Sequence, residues 1–419
     1  MSNLRQAIEA LAQKARQAAR VLSLSTAAKR TEAIQLIARA IRKNAADILA
    51  ANEVDLKHAQ AAGLSPAMLD RLRLDQGRLE AVALATETVA TQADPLGEAL
   101  ESWTRPNGLK ITKLRIPIGL IAIVYESRPN VTVDAAVLCL RSGNACILRG
   151  GHEALRTNQA LANAIHEGLQ AAGLPTEIVT LVPVADREAV MILGSLRGVV
   201  DLIIPRGGPG LIEAVTATAQ VPVIKHDAGI CHIYVHTAAE LPMAEVILLN
   251  AKCQKPGVCN AAETLLVDAS IAANFLPQLD TALRSRQTSI RACPLAQPYM
   301  PSSQAASPAD WATEHLSLIL NVRIVPGLNE ALSHIAQYSS GHSDAIITND
   351  TIVAQRFLSE VDSACVYHNA STRFTDGGEF GFGAEVGIST GRLHARGPMG
   401  ARELTTWKFT IQGNGQARA

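Results

Sequence analysis

The chain has 419 residues, 48% of them apolar, and its 38 Lys and Arg are balanced by 38 Asp and Glu. That length exceeds what one hydrophobic core sustains, so two or three domains are expected, and the composition excludes a disordered chain. A formal net charge of zero offers no field for nucleic acid or an anionic membrane, which makes a small molecule the expected partner.

The stretch from Ser2 to Arg42 mixes charged residues with Ala, Leu and Ile, and holds no apolar run of signal-peptide length. No run elsewhere reaches membrane-spanning length, so a soluble cytoplasmic protein is expected. Seven cysteines without paired spacing argue for a reducing compartment and against a disulfide framework. From Thr31 to Leu49 the residues Ile34, Ile37, Ala38 and Ile41 fall at helical spacing, with Ser25 or Thr26 available as a cap. The first hundred residues read as mainly helical, broken at Gly63–Pro66 and Gln92–Gly97. Leu100 to Arg115 reads as a hairpin turning at Pro106-Asn107-Gly108.

A regular alternation follows. Strands are expected at Ile118–Tyr125, Ala145–Leu148, Ile178–Val182, Val199–Ile204 and Val221–Ile224. Helices are expected at Val131–Arg141, Glu153–Ala172, Asp186–Leu196 and Pro209–Gln220. This is the signature of βαβ units on a parallel sheet, with ligands at the carboxyl edge of the strands. After about residue 227 the pattern restarts with strand Cys231–Val235, helix Pro242–Leu249 and strand Glu263–Val267, a second α/β domain. Cys293–Pro308, rich in Pro and Ser, reads as a surface loop, and the Gly-rich stretch Thr372–Gly400 as loop.

Chemistry concentrates in the polar run from Asn250 to Thr264. Cys259 lies just past a Pro256-Gly257 turn and just before a strand, where Lys252 and Lys255 would favour its thiolate. It is the leading nucleophile candidate; its alternative is a buried small hydrophobe, the role assigned to Cys139, Cys146, Cys231 and Cys365. Cys253 and Cys259 make a poor zinc pattern, and no metal is expected. Asn130, after the first strand of the parallel sheet, fits an oxyanion donor or a cap for the helix at Val131. Arg206-Gly207-Gly208 joins a strand to a helix and could bring backbone N–H groups to a phosphate, although the run is not G-x-G-x-x-G. Arg149, at the end of another strand, is placed for a ribose phosphate. Arg392, His394 and Arg396 could meet a substrate carboxylate or phosphate, or could pair with nearby acids.

Three runs carry a resemblance: Tyr125-Glu-Ser-Arg-Pro-Asn-Val-Thr-Val-Asp-Ala, Gln254-Lys-Pro-Gly-Val-Cys-Asn-Ala-Ala-Glu-Thr-Leu-Leu and Leu393-His-Ala-Arg-Gly-Pro-Met-Gly. With them the chain resembles the aldehyde dehydrogenase superfamily and, along nearly its whole length, the γ-glutamyl phosphate reductase family within it. The resemblance implies an α/β fold with a Rossmann-like NADP-binding domain (1–97 and 118–227), a catalytic α/β domain (228–403) and a small oligomerisation element (98–117 and 404–419). It implies that Cys259 is the nucleophile, Asn130 the oxyanion amide and Arg149 the counterpart of a cofactor-binding Lys, and that Glu314 holds the nicotinamide ribose.

The implied reaction reduces L-glutamate 5-phosphate with NADPH, through a Cys259 thioester, to L-glutamate 5-semialdehyde and phosphate, a step of proline biosynthesis. The run Glu-Leu-Gly-Gly of hydrolytic relatives, with its water-activating Glu, reads His226-Asp-Ala-Gly229 here, which would protect the thioester from water. A homo-oligomer and a glutamate 5-kinase are the expected protein partners. Two rival readings stand beside this one: a hydrolytic NAD(P)-dependent aldehyde dehydrogenase, and a non-catalytic nucleotide-binding scaffold.

Overall fold

A computed structural model describes residues 3–225 and 228–418, so His226 and Asp227 lie outside the described residues. Five helices open the chain: α1 (Asn3–Ser23), α2 (Ala27–Lys43), α3 (Ala45–Ala61), α4 (Pro66–Leu72) and α5 (Gln76–Thr91). Thr26 caps α2 by accepting the Lys29 N–H at 3.2 Å. The helical stretch expected over Thr31–Leu49 is divided at Asn44, whose amide donates to the Ala40 carbonyl at 2.8 Å and so closes α2.

The expected hairpin forms from β1 (Ala99–Thr104) and β2 (Lys110–Pro117), paired antiparallel. Gly108 makes its turn with a left-handed φ of +86° that an L side chain rarely adopts. Then come β3 (Leu120–Tyr125), α6 (Asn130–Arg141), β4 (Ala145–Arg149), α7 (Leu155–Ala171), β5 (Val179–Leu181), α8 (Arg187–Ser195), β6 (Leu202–Arg206) and α9 (Pro209–Thr218). The strand expected over Val221–Ile224 is reduced to a single bridge between Val223 and Ile203. Pro222 has no N–H for a ladder, although its carbonyl accepts from Ile203 at 2.9 Å.

The second half runs β7 (Cys231–Val235), α10 (Leu241–Cys253), β8 (Ala262–Asp268), α11 (Ala272–Ser285), β9 (Ser289–Ala292), β10 (Gln304–Ala305), β11 (Ile319–Val325), α12 (Leu328–Tyr338), β12 (Ser343–Ile347), α13 (Thr351–Glu360) and β13 (Cys365–His368). The two-residue strands β14 (Ile388–Ser389) and β15 (Gly397–Pro398) follow, and β16 (Thr405–Gln412) comes last. Cys293–Pro308 is not merely a surface loop: Cys293, Ala296 and Met300 are buried in the core, which anchors the segment.

Two compact units result: Met1–Lys225 with Gly381–Gly387 and Pro398–Ala419, and His226–Phe380 with Ile388–Gly397. The first unit holds a parallel sheet ordered β5-β4-β3-β6 and an antiparallel sheet ordered β1-β2-β16. Register sets Val124 against Arg149 and Tyr125 against Arg206, so the carboxyl ends of three strands finish level. The second unit holds a seven-stranded parallel sheet ordered β10-β9-β11-β8-β7-β12-β13. Its strands are apolar on both faces: Ile233 and Val235 face one core cluster, and Tyr234 between them faces the other. Each such side chain contributes about 1.5–3 kcal/mol on burial. Among the described residues no helix is long and apolar enough to cross a membrane.

Candidate active site

In the second unit, residues 254–261 form the turn that carries the chain from α10 into β8, and Cys259 sits half-buried within it. A buried hydrogen-bonded pair closes the base of this turn: Lys252 Nζ donates to Glu263 Oε2 at 2.7 Å, both side chains fully inaccessible. Loss of hydration pulls the Lys252 ammonium down and pushes the Glu263 carboxyl up to about 7. The Leu316 N–H donates to Glu263 Oε1 at 3.3 Å, and the charge of Glu314 adds to the rise. Glu314 therefore stands on the segment that Glu263 ties to the Cys259 turn. Lys252, read from sequence as a cation for the Cys259 thiolate, directs its charge to Glu263 instead.

Two close approaches fix the Cys259 backbone. Gly229 packs so tightly that a Cβ there would overlap the Cys259 carbonyl oxygen and Cα. Cys231, whose thiol burial pushes well up, donates Sγ–H to the Cys259 carbonyl at 3.2 Å. Asn260, buried beside it, donates to the Thr375 carbonyl at 2.8 Å, and Thr372 Oγ1 donates to the Asn260 carbonyl at 2.7 Å. These bonds bring residues 372–375 onto the turn. No disulfide joins any of the seven cysteines; Cys139, Cys146, Cys231, Cys293 and Cys365 are buried, and Cys253 and Cys259 are half-buried.

In the first unit, the carboxyl edge of the parallel sheet collects the other candidates. Arg149 ends β4, is 7% exposed and donates Nη2 to the Ala185 carbonyl at 2.5 Å. Arg206 ends β6 and pairs with Glu385 at 3.1 Å. The Nε atoms of both arginines are buried without a partner among the described residues. Between these strands, β3 runs into Glu126 and Ser127. The Gly208 N–H, opening α9, donates to Glu126 Oε2 at 2.9 Å, and a Cβ on Gly207 would crowd that same carboxylate. The positive end of α9 thus already receives an anion here. Ser127 takes a left-handed φ of 41°, held by N–H and Oγ–H donations to Glu153 Oε1 at 2.6 and 2.7 Å. Asn130 is the first residue of α6 and makes no cap; its amide donates to Asp134 Oδ2 at 2.8 Å.

In the Gly-rich stretch, Arg392 and Arg396 both engage Asp362 of the second unit, Arg396 at 2.6 Å, so the acid-pairing alternative is the arrangement seen. His394 lies between them with a φ of 69°. Sequence reading assigned no site role to Gly229, Glu126, Glu153 or Arg373. Asn260 and Glu263 belong to the run that carries Cys259, so proximity alone could have flagged them.

The Aldehyde dehydrogenase family model matches residues 2–292. The chain belongs to the aldehyde dehydrogenase family. Among family relatives it is 53% identical to a γ-glutamyl phosphate reductase of Symbiobacterium thermophilum, over 98% of this chain and 100% of that one. It is likewise 53% identical to one of Hyphomonas neptunium, over 97% and 96%. The crystal structure of the Thermotoga maritima γ-glutamyl phosphate reductase superposes with a TM-score of 0.95 at 45% identity, covering 98% of this chain and 100% of that one. An acetylating aldehyde dehydrogenase of Geobacillus thermoglucosidasius, 17% identical with a TM-score of 0.72 over 99% and 98%, shares the aldehyde dehydrogenase fold.

Proposed function

We propose that this chain reduces L-glutamate 5-phosphate to L-glutamate 5-semialdehyde with release of phosphate, using NADPH, as a step toward proline. The observation that carries the reading is identity over half the residues, along nearly the full length, with γ-glutamyl phosphate reductases. On this reading residues 1–97 and 118–227 bind the cofactor, 228–403 perform the chemistry, and 98–117 with 404–419 serve oligomerisation. Exposed Trp103, Trp407, Phe409 and Ile411 on the three-stranded sheet support the last assignment to a homo-oligomer.

The Cys259 thiolate attacks the acyl carbon, the Cys259 N–H can stabilise the negative charge gathering on the carbonyl oxygen, and Asn130 has the role of oxyanion amide that the family resemblance implies. Phosphate then departs with the electron pair of the broken C–O bond, leaving a thioester on Cys259. When bound, the reduced nicotinamide supplies the hydride that brings the acyl group to the aldehyde level. Cys259 acts once more, as the thiolate that leaves when the aldehyde is released. The first unit fits a dinucleotide: α9 accepts an anion at Gly207–Gly208, and Arg149 and Arg206 offer buried donors for phosphates, Arg149 for the 2′-phosphate that distinguishes NADPH from NADH. Glu314 would hold the nicotinamide ribose. Arg392, His394 and Arg396 contribute to substrate binding, the two arginines by exchanging the Asp362 carboxylate for the substrate's own anionic groups. Short-lived acyl phosphates favour direct handover from a glutamate 5-kinase.

The test runs the reaction backwards. Semialdehyde oxidation with NADP should require added phosphate; oxidation indifferent to phosphate would assign the chain to hydrolytic aldehyde dehydrogenases instead. Replacing Arg149 with Ala should raise KM for NADPH more than for NADH.

A further inference from the structure

Lys252 Nζ is turned to Glu263, and Lys255 is solvent-exposed. A guanidinium from a distant segment reaches the Cys259 turn. Arg373 lies on the short 3₁₀ turn Thr372–Phe374, capped by Ser371 Oγ accepting the Arg373 N–H at 3.2 Å. From there Arg373 reaches onto the nucleophile turn and donates Nε–H to Gln254 Oε1 at 2.9 Å and Nη1–H to Asn260 Oδ1. Gln254 precedes Cys259 in the turn and Asn260 follows it. One planar group therefore ties the two flanks of the nucleophile together, a geometry that the forked donors of Arg provide and the point charge of Lys does not.

The electrostatics point the same way. Burial pulls the Arg373 guanidinium down, while the charges of Asp376, Cys259 and Glu379 push it up. Cys259 is thus among the charges that Arg373 feels across the clamp it makes with Gln254 and Asn260. Among the described residues, the other titratable groups at the turn include Cys231 and His342 behind it, the Lys252–Glu263 pair at its base, Lys255 within it, and Asp376 and Glu379 on the Arg373 side.

We propose that Arg373 is the positioning residue of the nucleophile, clamping Gln254 to Asn260 and holding a fixed positive charge beside Cys259. The proposal rests on the reading of Cys259 as the nucleophile. It gives the thiolate electrostatic support from a residue 114 positions further along the chain.

The experiment measures iodoacetamide alkylation of Cys259 in the full-length protein from pH 6 to 10, read by mass spectrometry of the Cys259 peptide. In Arg373→Met the alkylation midpoint should rise by about one pH unit, and labelling at pH 7 should slow about tenfold. In Arg373→Lys, which keeps the charge but not the fork, the midpoint should stay near the parent's while kcat falls and KM for the acyl phosphate holds. A folded Arg373→Met protein whose Cys259 titrates like the parent's overturns the proposal. So does an Arg373→Lys protein labelled as slowly as Arg373→Met. Should Arg373→Met not fold, Arg373→Gln supplies the neutral variant. Undiminished turnover by Cys259→Ser would instead sink the reading of the nucleophile, and the alkylation midpoint would still report on Arg373.

Discussion

Gly229 and Cys259 show how tightly one residue can constrain the backbone of another. Any side chain at 229 drives into the Cys259 backbone, and backbone cannot yield as a flexible side chain does. Gly229→Ala should therefore displace the turn, destabilising the protein by about 1–3 kcal/mol in denaturant titration and lowering kcat by more than about tenfold. A protein with parental kcat would show that the turn tolerates the displacement. Legibility at this scale was uneven. Cys259 stood out because a Pro-Gly turn precedes it and a strand follows, and Glu263 lay four residues away. Arg373 carried no local signal, because its contact with 254 and 260 arises only when residues more than a hundred positions apart fold together.

Among the elements, the β3–α6 connection is the most constrained. Ser127 holds a left-handed conformation that costs a non-glycine residue of order 1 kcal/mol, and it persists because Glu153 accepts both of its donors. Burial raises the Glu153 carboxyl, but the bonds from Ser127 outweigh it and hold the group below the usual carboxylate range. Its contribution is therefore present above about pH 4.5 and lost as the pH falls through the depressed value. Glu153→Ala should destabilise the protein by about 2–3 kcal/mol at neutral pH, and the difference from the parent should shrink on acidification. A difference independent of pH would count against this account. The alternation between 118 and 220 was readable because fully buried strands leave apolar runs and their crossovers leave helical ones. Val221–Ile224 misled because its composition is that of a strand while Pro222 denies it a ladder. Cys293–Pro308 misled in the opposite sense, since its prolines suggested solvent while its apolar residues reach the core.

At the scale of the whole molecule, two buried groups in the second unit pull stability in opposite directions. Folded Glu263 keeps a proton up to about pH 7, which the unfolded chain sheds near 4.5, so its contribution is full below 4.5 and lost as the pH rises. Burial drives His334 down to about 3 from 6.5, so its contribution is full above 6.5 and lost as the pH falls. Between about pH 4.5 and 6.5 the proton counts of these two groups offset each other. His334→Gln should tilt the profile so that stability falls with rising pH, by at most about 1.4 kcal/mol per unit, and Glu263→Gln should tilt it the other way. Calorimetry of both variants across this window decides the matter: parallel profiles would refute it.

On the proposal that the first unit binds the cofactor, the Glu126 carboxylate on Gly208 bears on which molecules it would select. An anion arriving at α9 does not meet a vacant terminus; it competes with a ligand tethered to the same chain, whose effective concentration is on the order of millimolar whatever the solution contains. Mass action then filters by valency. A lone oxyanion gains little from the exchange, whereas a molecule that also engages the neighbouring guanidiniums recovers the lost contact several times over.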